Sequence, residues 1–156
     1  MELIMVVAII GVLAVIGPQI FTQTTKFFIL GKTKFALQHE ARAAMYLMTR
    51  EIRQAQSNTI IIDEVSGQPY YSRIRFTKQT SGTGTSVTIE QNGTSLILIE
   101  GNTKTILNTD LTYLAFSFPE SDDMTMLSVS MTLQEEIYGG ALKALHMASE
   151  QVQVMD

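Results

Sequence analysis

The stretch MELIMVVAIIGVLAVIGP, residues 1 to 18, sets one carboxylate, Glu2, ahead of an uncharged apolar run from Leu3 to Ile16 and closes it with Gly17-Pro18. The run is apolar on every helical face, a pattern that argues against the one-sided core helix of a small soluble domain. Residues 3 to 16 alone fall short of the ~20 residues that cross a bilayer as a helix. Ile20, Phe21 and the patch Phe27-Phe28-Ile29-Leu30 continue the apolar character beyond it. No Lys or Arg precedes the run and no small-x-small site follows it, so the pattern does not match a cleaved secretory signal. The reading is a single membrane-spanning or interfacial helix. An uncompensated charge in hydrocarbon costs about 2.5–3.5 kcal/mol or more, which marks Glu2 as a functional position.

Working outward, the next residues continue as helix to about residue 56. Leu37, Ala41, Ala44, Met48, Ile52 and Ala55 recur at spacings of three and four, the stripe of a helix with one buried face. Arg42, Arg50 and Arg53 fall off that stripe; the basic first part of the chain reads as a solvated helix face, with contact to an acidic surface or lipid headgroups as the other reading. Gly31 weakens the helix by about 1 kcal/mol relative to alanine.

After Ser57-Asn58 the pattern changes to period two. Ile74 and Phe76 alternate with Arg73, Arg75 and Thr77, and Leu127, Val129, Met131 and Leu133 alternate before Glu135. Between them SVTIEQNGTSLILIE reads as two strands joined by Asn92-Gly93, a dipeptide preferred in type I′ turns. Gly101-Asn102 makes a second hairpin, and Leu114, Phe116 and Phe118 mark a further strand. The tail is ambiguous: Leu142, Leu145 and Ala148 suit a helix, Val152 and Val154 a strand, and strand is the preferred reading. The expected fold is α+β, a long N-terminal helix with an apolar first half and an amphipathic second half, packed on a one-faced antiparallel meander. The segments are 1–25 as a membrane or filament-core helix, 26–56 as an amphipathic helix, and 57–156 as a sheet head, with 26–156 forming one globular unit.

The charges are unevenly spread. Residues 1–56 carry six bases and three acids, residues 57–156 five bases and twelve acids, so balances of +3 and −7 give the net −4. An acidic body is a poor nucleic-acid platform, and no nucleic acid is expected as a direct partner. Cysteine is absent, which excludes disulfides, zinc–thiolate sites and thiol nucleophiles. Lys26, Lys32 and Lys34 all follow the apolar run, and the positive-inside preference would keep that side in the cytoplasm. Basic residues preceding Met1 in the native chain would remove the conflict.

Residues Glu2 to Ile16, followed by Pro18, resemble the N-terminus of type IV pilins and type II secretion pseudopilins. In that family a basic leader is cut after a glycine, the next residue is usually an N-methylated phenylalanine, and a glutamate follows. Leader, cleavage glycine and phenylalanine do not occur here, so the chain carries no processing site, and a few mature residues before Met1 are expected. The resemblance implies that Glu2 pairs with the N-terminal amine of a neighbouring subunit, a buried charge satisfied only by its partner. Leu3, Val6, Val7, Ile10, Gly11, Leu13 and Pro18 would then build the assembly helix. Gly17-Pro18 matches the break that the family places after its apolar segment. LQHEARAAMYLMTREIRQAQ (37–56) and the strands after it resemble J-type minor pseudopilins and W-type minor pilins. The implied role is a non-enzymatic minor subunit of a type II secretion or type IV pilus filament. It would sit in the bacterial inner membrane by a single pass, its head periplasmic, with other pilin or pseudopilin subunits and assembly-platform proteins as partners. A tip-located binding module using loops 78–86 and 119–125 is the alternative; a membrane-anchored enzyme is the lesser one.

Chemistry is hard to find in the pattern, and neither a catalytic residue nor a cofactor is expected. His39 and His146 have no spacing that suggests a shared metal. TSGTGTS, residues 80 to 86, lacks the lysine of a phosphate loop and reads as a hairpin tip. Glu120, Asp122 and Asp123 offer oxygen ligands for calcium without an EF-hand spacing, and read as a solvated acidic loop. Asn92-Gly93-Thr94 fits a glycosylation sequon but coincides with the turn signal.

Overall fold

A computed structural model describes residues 2–80, 83–120 and 124–154; for Glu2, Gln79, Thr80 and Thr83 it describes the backbone only. One helix, α1 (Glu2–Ile52), leads into a 3₁₀ turn at Ser57–Thr59 and eight antiparallel strands. These are β1 (Ile61–Asp63), β2 (Arg73–Thr80), β3 (Thr83–Asn92), β4 (Ser95–Glu100), β5 (Thr103–Asn108), β6 (Leu111–Ser117), β7 (Met126–Ile137) and β8 (Leu142–Gln153). The fold is α+β, as the period change after residue 57 predicts.

The strands do not form one meander. They form two sheets, β1-β2-β3-β4-β5 and β6-β7-β8. The division falls at Thr109-Asp110, where Asn108 Oδ1 accepts from the Asp110 backbone N–H at 2.8 Å and turns the chain away from β4. Main-chain bonds stitch the sheets back together: Phe116 donates to the Tyr71 carbonyl at 2.9 Å and Leu111 to that of Thr94 at 2.8 Å. Tyr71 adopts φ 61°, a left-handed conformation unusual outside glycine, and this aims its carbonyl at β6.

The helical stripe is the core. Leu37, Ala41, Ala44, Met48, Ile52 and Ala55 are all buried, with Met45 beside them, against Ile74, Phe76, Val87 and Ile89 from one sheet and Leu114, Phe116, Leu127, Val129, Met131 and Leu133 from the other. Leu111 also points inward because a bulge between Leu111 and Tyr113 resets the period-two register. The helix itself ends at Ile52, short of residue 56, and Ala55 reaches the core through a bridge to Lys78. The tail is a strand, paired with β7 along its whole length.

Two turns differ from each other. Gly101-Asn102 closes the β4–β5 hairpin as the dipeptide predicts, with Glu100 facing Thr103. The β3–β4 loop is Gly93-Thr94 rather than Asn92-Gly93, because Asn92 pairs with Ser95. Only Gly93 has positive φ there, so the I′ geometry that Asn-Gly favours does not form. Ser81, Gly82 and the acids Asp122 and Asp123 lie outside the described residues.

The outer strand β1 is held by charge as well as by pairing. Asp63 accepts a bidentate bond from Arg73 at 2.6 and 2.9 Å and a third from Arg75 at 2.6 Å. The Arg73 guanidinium holds the Asp63 carboxyl below the usual carboxylate range.

Candidate functional site

The N-terminal half of α1 buries no residue against the rest of the described chain, and its one recorded contact with the head is the Lys26 ammonium 6.0 Å from the centre of the Tyr138 ring. From Leu3 to Phe28 every residue is exposed, with Leu3 at 78% and Phe27 at 78% accessible. Burial begins only at Ile29 and Leu30, where the helix meets the head. The uncharged part therefore extends from Leu3 to Thr25 as continuous helix, ~34 Å at 1.5 Å per residue, against ~30 Å of bilayer hydrocarbon. Read from Leu3 to Ile16 alone, the segment looked too short. Helix continuity through Gly17-Pro18 makes it long and apolar enough to cross a membrane.

That continuity also corrects the expected break. Pro18 lies inside α1, where its ring nitrogen gives no hydrogen bond to the Ala14 carbonyl, yet helix persists on both sides. Thr22 and Thr25 hydroxyls bond back to the Gln19 and Phe21 carbonyls at 2.9 Å in the turns that follow.

Leu3, Val6, Val7, Ile10, Gly11, Leu13 and Pro18 are all exposed and share about half of the helix circumference at 3.6 residues per turn. The Glu2 side chain and Met1 lie outside the described residues. Ala8 leaves a shallow apolar notch between Met5, Ile9, Val12 and Leu13, the shape into which a neighbouring helix inserts a side chain. A Cβ added at Gly11, Gly17 or Gly31 would meet nothing within 4 Å, so the chain's own packing requires none of these glycines. Gly31→Ala is accordingly expected to raise the stability of the head by about 0.5–1 kcal/mol, read as a higher melting temperature.

Where the helix ends, it is locked to the sheet by buried charge. Lys78 Nζ lies 2.8 Å from Glu51 Oε2 and 2.5 Å from Glu100 Oε1, while Arg50 Nη2 lies 3.0 Å from Glu51 Oε1. Burial alone would raise the Glu51 carboxyl, but the bonds from Lys78 and Arg50 outweigh it and hold the group below the usual carboxylate range. Burial would likewise lower Lys78, and bonds to Glu100 and Glu51 reverse that and raise it. The sequence pattern did not point to this four-residue cluster. The available signal was register: Lys78 continues the inward series Ile74, Phe76 along β2.

His39 stays exposed on α1 and His146 lies on β8, so no shared site forms. No cluster of three His, Asp or Glu able to hold a metal occurs among the described residues. Asn92 ends a strand. Comparison with protein-family models, curated sequences and solved structures yields no match.

Proposed function

We propose that this chain is a membrane-inserted, non-enzymatic minor subunit of a pilin-like filament, of the pseudopilin or minor-pilin kind. One observation carries the reading: a helix unburied on all sides runs without interruption into the core helix of a folded head. Lipid covers the exposed half while the subunit waits in the membrane, and other subunits cover it in the filament. The notch at Ala8 and the unrequired glycine at Gly11 suit close contact between helices, where small residues let backbones approach. The Glu2-to-Pro18 pattern supports a pilin-type assembly over an ordinary anchor, and with it a head on the extracytoplasmic side of a bacterial inner membrane.

Substitution of Glu2 by alanine tests the reading. Assembly is reported by inter-subunit disulfide formation from a Leu13→Cys variant, in a chain with no cysteine of its own. Glu2→Ala is expected to lower that cross-linking about tenfold or more, since a buried partner-satisfied charge is worth over 1.4 kcal/mol, while leaving the amount in the membrane fraction unchanged. Undiminished cross-linking would reduce the segment to an anchor.

A further inference from the structure

α1 packs along β8, its main strand neighbour, and part of that junction stays open. Between them lies an open groove of about 720 Å³. One wall is the last part of α1, with Arg42 and Arg50, and the turn just after it, with Arg53; the other is the His146–Glu150 stretch of β8. β8 is the outer strand of its sheet, so among the described residues the outer side of its main chain pairs with no other strand. An unpaired strand edge is a template for another extended chain.

The charge in the groove is not neutralised from within. Arg42 and Arg53 form no ion pair among the described residues, and Arg50 shares the Glu51 carboxylate with Lys78. Of the described residues that line the groove, Glu150 alone is acidic. This cationic wall stands beside a head whose residues 57–156 sum to −7, five bases against twelve acids. Arg42 also lies sixteen residues beyond Lys26 on one helix, ~24 Å, about three Debye lengths from the end of the apolar segment. Headgroup phosphates are therefore out of reach.

We propose that this groove is a docking site for an extended acidic segment of a partner protein, which adds to the edge of β8 and turns its carboxylates toward the arginines. The two recognition elements are in register. Arg42 and Arg50 are ~12 Å apart along the helix, and residues i and i+4 of an extended strand are ~13.6 Å apart. Main-chain pairing supplies affinity, and carboxylates at alternate positions supply selectivity, the usual division of labour in strand addition. A polypeptide fits where a nucleic acid does not, because only a polypeptide can use the strand edge.

The test uses the full chain in nonionic detergent micelles and three acetylated nine-residue peptides: alternating threonine and glutamate, alternating threonine and lysine, and the acidic peptide with N-methylated backbone at every second residue. The plain acidic peptide is expected to bind about tenfold tighter than either control. It should slow hydrogen exchange in the 146–150 stretch of β8, and Arg42→Gln/Arg53→Gln should weaken it about tenfold without changing the head's melting temperature. Equal binding of the N-methylated peptide would overturn strand addition, and equal binding of the basic peptide would overturn the charge selection. No binding of the acidic peptide overturns the proposal outright. So does dimerisation of the chain that the double variant abolishes, since that assigns the groove to a second copy. None of these outcomes depends on how the Glu2 variant behaves.

Discussion

Phe116→Ala is expected to destabilise the head by about 3–5 kcal/mol, the cost of removing a large side chain from a core that collapses only partly around the void. Phe116 is fully buried, faces Val129 across the β6–β7 pair and donates its backbone N–H to Tyr71 at the seam between the sheets. A domain of this size has roughly 5–15 kcal/mol in total, so the melting temperature should fall by about 10–20 °C. The exposed apolar segment should be indifferent, since nothing between Leu3 and Phe28 belongs to the core. Thermal unfolding of the head, followed alongside the amount recovered in the membrane fraction, separates the two halves of the molecule. A small shift in melting temperature would mean that the sheets repack freely around β6.

Lys78→Met is expected to cost about 3 kcal/mol, at the lower end for a broken buried pair because Glu51 keeps Arg50. The Glu51 side chain is 4% exposed, so the carboxylate left behind has little water to turn to. Adding Glu51→Gln should recover part of the loss, and the double-mutant cycle measures the coupling. The pH dependence follows from the directions of the two shifts. Glu51 is lowered in the folded state, so its contribution is present above the unfolded carboxylate value, ~4.3, and disappears as pH falls through the folded value. Lys78 is raised, so its contribution is present below the unfolded lysine value, ~10.4, and is lost as pH rises through the folded one. The advantage of the parent chain over Glu51→Gln should therefore be full between about pH 5 and 10 and shrink on the acid side, as denaturant unfolding at several pH values would show.

Much of this molecule was legible in its residues. The stripe Leu37, Ala41, Ala44, Met48, Ile52, Ala55 predicted a buried helix face because helical periodicity is a local property, and all six are buried. The strands of β6 and β7 were legible for the same reason, and Gly101-Asn102 because turn chemistry is decided over two residues. Asn92-Gly93 was not: the dipeptide admits a turn at either of two registers, and the pairing of β3 with β4 selected Gly93-Thr94.

What the sequence determined was everything that depends on neighbours along the chain: the apolar run, the amphipathic helix, the alternating strands and the contrast between a basic first third and an acidic body. Only the tertiary structure decided how distant segments meet. The strands split into two sheets at Asn108-Asp110. Lys78 found Glu51, twenty-seven residues away, because the chain just past α1 bridges to β2 at Ala55 and Lys78. Arginines that read as a solvated face came to line a groove because β8 was left at a sheet edge beside them. Such meetings depend on which elements pack together, a choice made by the burial of the whole core rather than by any local pattern.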